Sequence, residues 1–269
     1  MMKIGFIGLG NMGGSLARLV AQDESFRNEL LLANRSRDKA EKIAAEVGGQ
    51  PVSNAEVFAQ AEVIFLGIKP AQFTDLLAEY QEILEKRESI LLVSMAAGLT
   101  LELLEKLSPR HHRWIRIMPN TPVAVGEGVI TYALSPEANQ TDEDLLRELL
   151  SSAGLLIKLE EKQLDAATAL AGCGPAFVYL FIEALADAGV RAGLSRDISL
   201  ELANQTLLGA AKLSQVSGQH PAQLKDQVCS PDGSTIAGVA SLEENAFRGT
   251  VMDAVQAAYK RTQELGKKS

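Results

Sequence analysis

Glycines at positions 8, 10 and 13 follow the apolar run from Lys3 to Ile7, and that spacing suits the binding of a pyrophosphate. A strand over Lys3 to Ile7 would stop at Gly8, where a tight turn needs no Cβ. Gly10 would let a phosphate approach the backbone, and Gly13 would let the next helix close on the strand. Residues 11–22 predict that helix, with Met12, Leu16, Leu19 and Val20 on one face and its first N–H groups aimed at the anion. Three glycines also serve an ordinary strand-to-helix turn. Here a strand precedes them, a helix follows, and a second apolar strand, Leu30 to Ala33, arrives on schedule.

The end of that second strand selects the cofactor. A site for NAD usually places Asp or Glu there to hold the ribose 2′-hydroxyl, but this chain reads Asn34-Arg35-Ser36-Arg37. Nothing repels a 2′-phosphate. Arg35 or Arg37 can meet it with charge-assisted hydrogen bonds and Ser36 adds a donor, so NADPH is the expected cofactor and NADH a weaker one. The alternative is a solvated basic loop capping a helix over residues 37–46. Asn54 has two readings, a contact to the cofactor's ribose or the N-cap of a helix over Ala55 to Gln60.

A second chemical feature lies late in the chain. Residues 227–237 read Gln-Val-Cys-Ser-Pro-Asp-Gly-Ser-Thr-Ile-Ala, a polar loop leading into a helix with Ile236, Val239 and Leu242 on its apolar side. The backbone donors of Gly233, Ser234 and Thr235, with the hydroxyls of Ser230, Ser234 and Thr235, can cradle a small carboxylate without an arginine. A capped helix start with no ligand reads the same way.

The elements that must position these groups fall into two blocks. Up to about Glu160, short β-rich runs alternate with amphipathic helices, the pattern of an N-terminal Rossmann-like, doubly wound parallel sheet. The predicted strands are Lys3 to Ile7, Leu30 to Ala33, Pro51 to Val52, Val63 to Leu66, Ile90 to Ser94, Trp114 to Met118, Gly128 to Leu134 and Leu155 to Leu159. Ligands in such sheets lie beyond the carboxyl ends of the strands, where the Gly67 to Pro70, Met95 to Gly98 and Pro119 to Pro122 loops would fall. From residue 161 to 269 only helices are expected, an all-helical domain for substrate binding and dimerisation. The segment from Pro175 to about Ala192 is apolar on every face in its early part. A domain of this size cannot cover such a helix alone, so self-association as a homodimer or larger assembly is predicted.

Composition narrows the partners. The chain has 269 residues, 46% of them hydrophobic, and a net charge of −8. That charge disfavours a nucleic-acid or anionic-membrane surface. No leader is evident, the apolar stretches look too interrupted to span a bilayer, and a cytoplasmic location is expected. Cys173 and Cys229 have no paired spacing, His111, His112 and His220 read as surface or turn residues, and no metal site is expected.

Taken end to end, the chain resembles the pyrroline-5-carboxylate reductases. The resemblance rests on the Gly8 to Gly13 turn, Ile68-Lys69-Pro70, Met118 to Pro122, Leu170-Ala171-Gly172-Cys173-Gly174-Pro175-Ala176 and Ser230-Pro231-Asp232-Gly233-Ser234-Thr235, the last two being the specific segments. It implies reduction of a cyclic imino acid by NADPH, and an NADPH-binding domain followed by a helical domain that interlocks with its twin. Cofactor contacts are implied at Gly8, Leu9, Gly10, Asn11, Met12 and Gly13, and at Asn34, Arg35, Ser36 and Arg37. Asn54, Gly67, Ile68, Lys69, Pro70, Ala96, Ala97 and Gly98 complete that set. Substrate contacts are implied at Gln227, Ser234 and Thr235, with Glu161 a further candidate, and Ser230 and Gly233 belong to the same loop. Asp232 and Cys173 depart from the family pattern, and a charge at Asp232 opposes a bound carboxylate unless it points to solvent.

This chemistry also accounts for what the sequence lacks. Ketone reduction creates an alkoxide that needs a proton donor, whereas a protonated imine needs only hydride at carbon. Thr235 is therefore expected to orient the ring nitrogen. Two rivals remain: a hydroxyacid dehydrogenase of similar layout, which would use a helix-borne lysine although none stands between Lys162 and Lys212, and a non-catalytic NADPH-binding regulator.

Overall fold

The computed structural model describes residues 2–109 and 111–266. Eight strands form one sheet: β1 (Ile4–Ile7), β2 (Leu30–Ala33), β3 (Gln50–Pro51), β4 (Val63–Leu66), β5 (Leu91–Ser94), β6 (Arg113–Pro119), β7 (Gly128–Leu134) and β8 (Gly154–Lys158). Their order is β3-β2-β1-β4-β5-β6-β7-β8. Each predicted strand forms, with ends displaced by a residue or so. The sheet is not wholly parallel, however, because β7 runs antiparallel to β6 while β8 is parallel to β7. Only residues 120–127 join β6 to β7, and a parallel crossover needs a dozen or more.

Strands β1, β2, β4 and β5 are buried along their whole length, which is why they read as unbroken apolar runs. Their side chains alternate between two cores. Ile4, Phe6, Leu30, Leu32, Val63 and Phe65 face one side, where Phe6 stacks on Phe65 with centroids 4.7 Å apart. Ile7, Leu31, Ala33, Ile64 and Leu66 face the other with Val57, Phe58 and Trp114.

Helix starts follow local chemistry. Ser53, not Asn54, is the N-cap of helix Asn54–Gln60: its hydroxyl accepts from Glu56 N–H and the Glu56 carboxylate accepts from Ser53 N–H. Ser195 caps helix Arg196–Ser217 by accepting from Ile198 N–H.

His112 is not a surface residue. It is 1% exposed, Nδ1 accepts from Ile90 N–H at 3.4 Å, and Nε2 lies 3.1 Å from the Leu84 carbonyl, the arrangement of a neutral ring with its proton on Nε2. Burial above all, with the neighbouring His111 next, lowers its pKa from 6.5 to about 4. The unfolded chain binds this proton near 6.5, so between the two values it holds more protons than the native state. The stability conferred by the neutral ring is complete above pH 6.5 and is lost as pH falls towards 4, by up to about 3 kcal/mol. Denaturant midpoints measured across that interval should fall more steeply for the native sequence than for His112→Gln; equal slopes would refute the assignment.

Two compact units divide the chain. One runs to Cys173 and resumes at Ala258; the other is Gly174–Ala257. These limits differ from a division at residue 160. Residues 161–173 stay with the sheet because Leu164 is buried in its core and Asn120 Nδ2 donates to the Ala171 carbonyl at 3.1 Å.

The second unit is helical: Gly174–Arg191, Arg196–Ser217, Pro221–Gln227, Ser234–Glu244 and the first part of Phe247–Gly266. On the first of these only Ala186 is buried, while Val178, Tyr179 and Leu180 are 45–65% exposed. This is the uncovered apolar surface that self-association requires. The helical stretch Glu161–Arg191, with mean hydropathy 1.7 over its most apolar window and 11% of that window buried, is long and apolar enough to cross a membrane, contrary to the sequence expectation. A helix covered by a second copy needs the same composition.

Candidate functional site

The carboxyl ends of β2, β1, β4 and β5 lie side by side and their loops are stitched together. Gly8 N–H donates to Ala33 O at 2.9 Å, Gly67 N–H to Ile7 O at 2.8 Å, and Met95 N–H to Leu66 O at 3.3 Å. Three glycines there are in backbone contact. A Cβ on Gly13 would lie 2.1 Å from Gly8 O, and one on Gly67 2.5 Å from the same atom. Gly8 itself has φ +90°. Gly67 therefore does more than end a strand: it lets β4 approach the glycine turn.

Gly10 is different, since a Cβ there would meet nothing within 4 Å. It caps helix Asn11–Val20 with no side chain over the helix start, and the first helical bond runs from Gly14 N–H to Gly10 O. The N–H groups of Asn11, Met12 and Gly13 precede that bond and form an open donor set. Beside Gly10 is a cavity of about 360 Å³ lined also by Leu9, Asn11, Ser15, Arg18, Lys39, Lys42 and Ile43. Lys39 and Lys42, not singled out from the sequence, line this cavity. Their i, i+3 spacing on helix Arg37–Val47 was the available signal.

At the end of β2, Asn34 serves the turn: Oδ1 accepts from Leu9 N–H at 3.0 Å and Nδ2 donates to Ser36 O at 3.1 Å. Arg35 has no salt bridge among the described residues, Arg37 pairs with Glu41 in an exposed i, i+4 contact at 2.9 Å, and the Ser36 hydroxyl leaves its own helix start uncapped. No carboxylate stands among residues 34–37. An open glycine turn, an uncapped helix start and a basic strand end together fit a dinucleotide carrying a 2′-phosphate.

Lys69 and Pro70 begin a short turn in which Lys69 N–H donates to Gln72 Oε1 at 3.3 Å, with Ile68 packed on the core. Ala96 is buried, its N–H on Ser94 Oγ at 3.2 Å, and Ala97 is half-buried. Gly98 has φ +82°, and a Cβ on it would stand 2.9 Å from Gly266 Cα. The end of the last helix thus floors this loop.

Glu161 is engaged within the same unit. Its Oε1 accepts from Leu101 N–H at 2.6 Å, at the start of helix Leu101–Leu107, and from Arg116 Nη1 at 3.2 Å. Arg116, 3% exposed, also reaches Asp165 at 3.2 Å.

In the helical unit, Ser230, Gly233, Ser234 and Thr235 come together on one loop. Gly233 is the N-cap of helix Ser234–Glu244, again without a capping side chain. Its own N–H is not available, because it donates to Ser230 O at 3.1 Å. The first helical bond, Ala237 N–H to Gly233 O, leaves Ser234, Thr235 and Ile236 as the open donors, a set displaced by one residue from the expected one. A Cβ on Gly233 would lie 2.4 Å from Ser230 Oγ. Asp232 holds φ +56°, a conformation that Asp tolerates better than most residues, and its side chain is exposed. Gln227 ends the preceding helix with its amide on Gln219 at 2.9 Å.

Comparison with known proteins supplies the chemistry's context. Residues 161–265 match the family model for pyrroline-5-carboxylate reductase dimerisation, and residues 3–98 that for coenzyme F420-dependent NADP oxidoreductases. The chain is 45% identical over 269 residues to a pyrroline-5-carboxylate reductase of Glycine max, covering 97% of this chain and 95% of that one. It is 43% identical over 263 residues to that of Pisum sativum, with the same coverage. Among solved structures, a Plasmodium falciparum pyrroline carboxylate reductase with NADP bound superposes with a TM-score of 0.88 at 37% identity, covering 98% of each chain.

Proposed function

The chain belongs to the pyrroline-5-carboxylate reductases, and from that premise we propose that it reduces 1-pyrroline-5-carboxylate to L-proline with NADPH, the last step of proline biosynthesis. NADPH supplies a hydride for the imine carbon. The rest is the work of the chain. The open donors of Asn11, Met12 and Gly13 hold the pyrophosphate, while Arg35, Ser36 and Arg37 hold the 2′-phosphate. The Ala96–Gly98 loop offers small side chains, and the Gly67–Pro70 loop its glycine and backbone, to the nicotinamide end.

The observation that carries the substrate side is the bare start of helix Ser234–Glu244. Among the described residues its first three N–H groups have no partner, and their aligned dipoles favour a carboxylate there without an arginine. The hydroxyls of Ser230 and Ser234 complete the cradle, and Thr235 Oγ1 accepts from the protonated ring nitrogen. Holding both ends of a small ring fixes which face meets the reductant, and fixed geometry is where rate is gained. No acid is needed, because the nitrogen that receives the electron pair of the C=N bond already carries its proton. Self-association accompanies this function through the exposed apolar helices of residues 174–257. A cytoplasmic site accords with two half-buried, unpaired cysteines.

Loss of NADPH absorbance on adding pyrroline-5-carboxylate tests the reading, with proline as the product. Binding of NADPH without its oxidation would instead identify a regulator. In the same assay Arg35→Ala/Arg37→Ala is expected to raise KM for NADPH about 10- to 100-fold while leaving KM for NADH within about twofold. Equal effects on both cofactors would remove the phosphate assignment.

A further inference from the structure

The chain carries a net charge of −8, yet the charged residues lining the cavity of about 360 Å³ beside Gly10 are all cations: Arg18, Lys39 and Lys42. No carboxylate lines it among the described residues. The cavity is a groove between helices Asn11–Val20 and Arg37–Val47, which pack on the same side of the sheet through Leu16, Leu19, Ala40 and Ile43. The two helices approach closely at Gly14, where a Cβ would stand 3.3 Å from Ile43 Cδ1.

These cations are not equivalent. Arg18 is neutralised by Glu46, to which its Nε donates at 2.8 Å near the far ends of the two helices. Lys39 and Lys42 have neither an ion pair nor a hydrogen bond among the described residues, so their charges are available to a ligand. At about 3.6 residues per turn, positions 39 and 42 fall on the flank of their helix that faces Asn11–Val20, and positions 37 and 41 on the opposite flank. Lys39 also stands in the first turn of a helix whose start is bare, because the Ser36 side chain makes no capping hydrogen bond. Cations therefore bracket that start: Arg37 on one side, tied to Glu41, and Lys39 on the other, unpaired.

Given NADPH as the cofactor and its pyrophosphate at Gly10, the reading on which this rests, we propose that Lys39, with Lys42 behind it, binds the 2′-phosphate from the groove side and sets much of the preference for NADPH over NADH. A phosphate monoester carries about two negative charges at neutral pH, and the field of an acidic protein repels them. A site for it needs cations that no carboxylate has already neutralised. Arg35 is one, and Lys39 and Lys42 are the others. Their long stems require no fixed approach angle, so they can follow a group held by the N–H donors of the helix start. Lys39 makes the contact; Lys42, one turn further from the helix start, adds charge at longer range and contributes less.

Fluorescence titration of the reduced nicotinamide, without substrate, separates the two kinds of phosphate. At about 0.15 M salt, charges more than about 8 Å apart are largely screened, so a lysine that serves the 2′-phosphate leaves the pyrophosphate almost unaffected. Lys39→Gln is expected to raise the dissociation constant for NADPH about tenfold, Lys42→Gln about threefold and the double variant about 30-fold, with that for NADH within about twofold throughout. Lys39→Arg, which returns the charge, should stay within about threefold of the native chain. Both positions are exposed and glutamine is a good helix former, so retained NADH binding doubles as the check on folding. Adenosine 2′,5′-bisphosphate, followed by calorimetry, should lose affinity in the same proportion as NADPH. An unchanged NADPH constant in Lys39→Gln/Lys42→Gln would overturn the proposal, and the cofactor reading would still stand if Arg35→Ala lost the preference. Equal losses for NADPH and NADH would also overturn it, by moving the lysines to the pyrophosphate. A native chain without preference for NADPH would remove both.

Discussion

Thr235→Ala is expected to lower kcat about 100-fold while leaving the dissociation constant for NADPH unchanged. Thr235 is the second residue of helix Ser234–Glu244, where alanine preserves the helix and the backbone donors on either side, so the change removes one hydroxyl and little else. If that hydroxyl holds the ring nitrogen, the carboxylate still docks and the ring is free to pivot. The loss then falls on turnover more than on KM for the imino acid. Thr235→Ser should restore most of the rate, because it returns the oxygen without the methyl. Unchanged turnover in Thr235→Ala would end the role assigned to this residue and move ring orientation to Ser230 or Ser234.

Arg116→Met is expected to cost about 3 kcal/mol of folding stability, read as a denaturant midpoint at fixed protein concentration. The guanidinium is 3% exposed and faces Glu161 and Asp165, each 29% exposed. Removing the cation leaves two carboxylates close together with nothing between them. Their partial access to water holds the expected loss near the lower end of the range for breaking a buried pair. Arg116→Met/Glu161→Gln/Asp165→Asn should recover most of it, since the cost lies in stranded charge and not in lost packing. A single variant as stable as the native chain would show that both carboxylates are already hydrated. The same cluster has a local consequence, because Glu161 also receives Leu101 N–H, the first donor of the helix that follows the Ala96–Gly98 loop.

The sheet was legible because strands buried on both faces read as short apolar runs between turn residues, and β1, β2, β4 and β5 are of that kind. The direction of β7 was not read from its pattern, since alternation carries no direction. The eight residues from Asn120 to Glu127 held that information, being too few for a parallel crossover. The glycine turn was legible residue by residue, including the open face of Gly10. The role of Asn34 was not, because its bond to Leu9 N–H joins positions far apart in the chain. His112 was misread for the same reason: its partners, Ile90 and Leu84, are set by packing. On the helical loop, the turn that ties Gly233 N–H to Ser230 was not legible. Donor sets at helix starts depend on such turns, and sequence locates them only to within a residue.

The final helix, Phe247–Gly266, begins in one compact unit and finishes in the other, where Gly266 underlies Gly98. The polypeptide therefore cannot be trimmed to its first half by a single stop codon. A product ending near residue 173 would leave the Gly98 loop without its support, so a minimal nucleotide-binding fragment must carry residues 258–266 as well, fused across a short linker or supplied in trans.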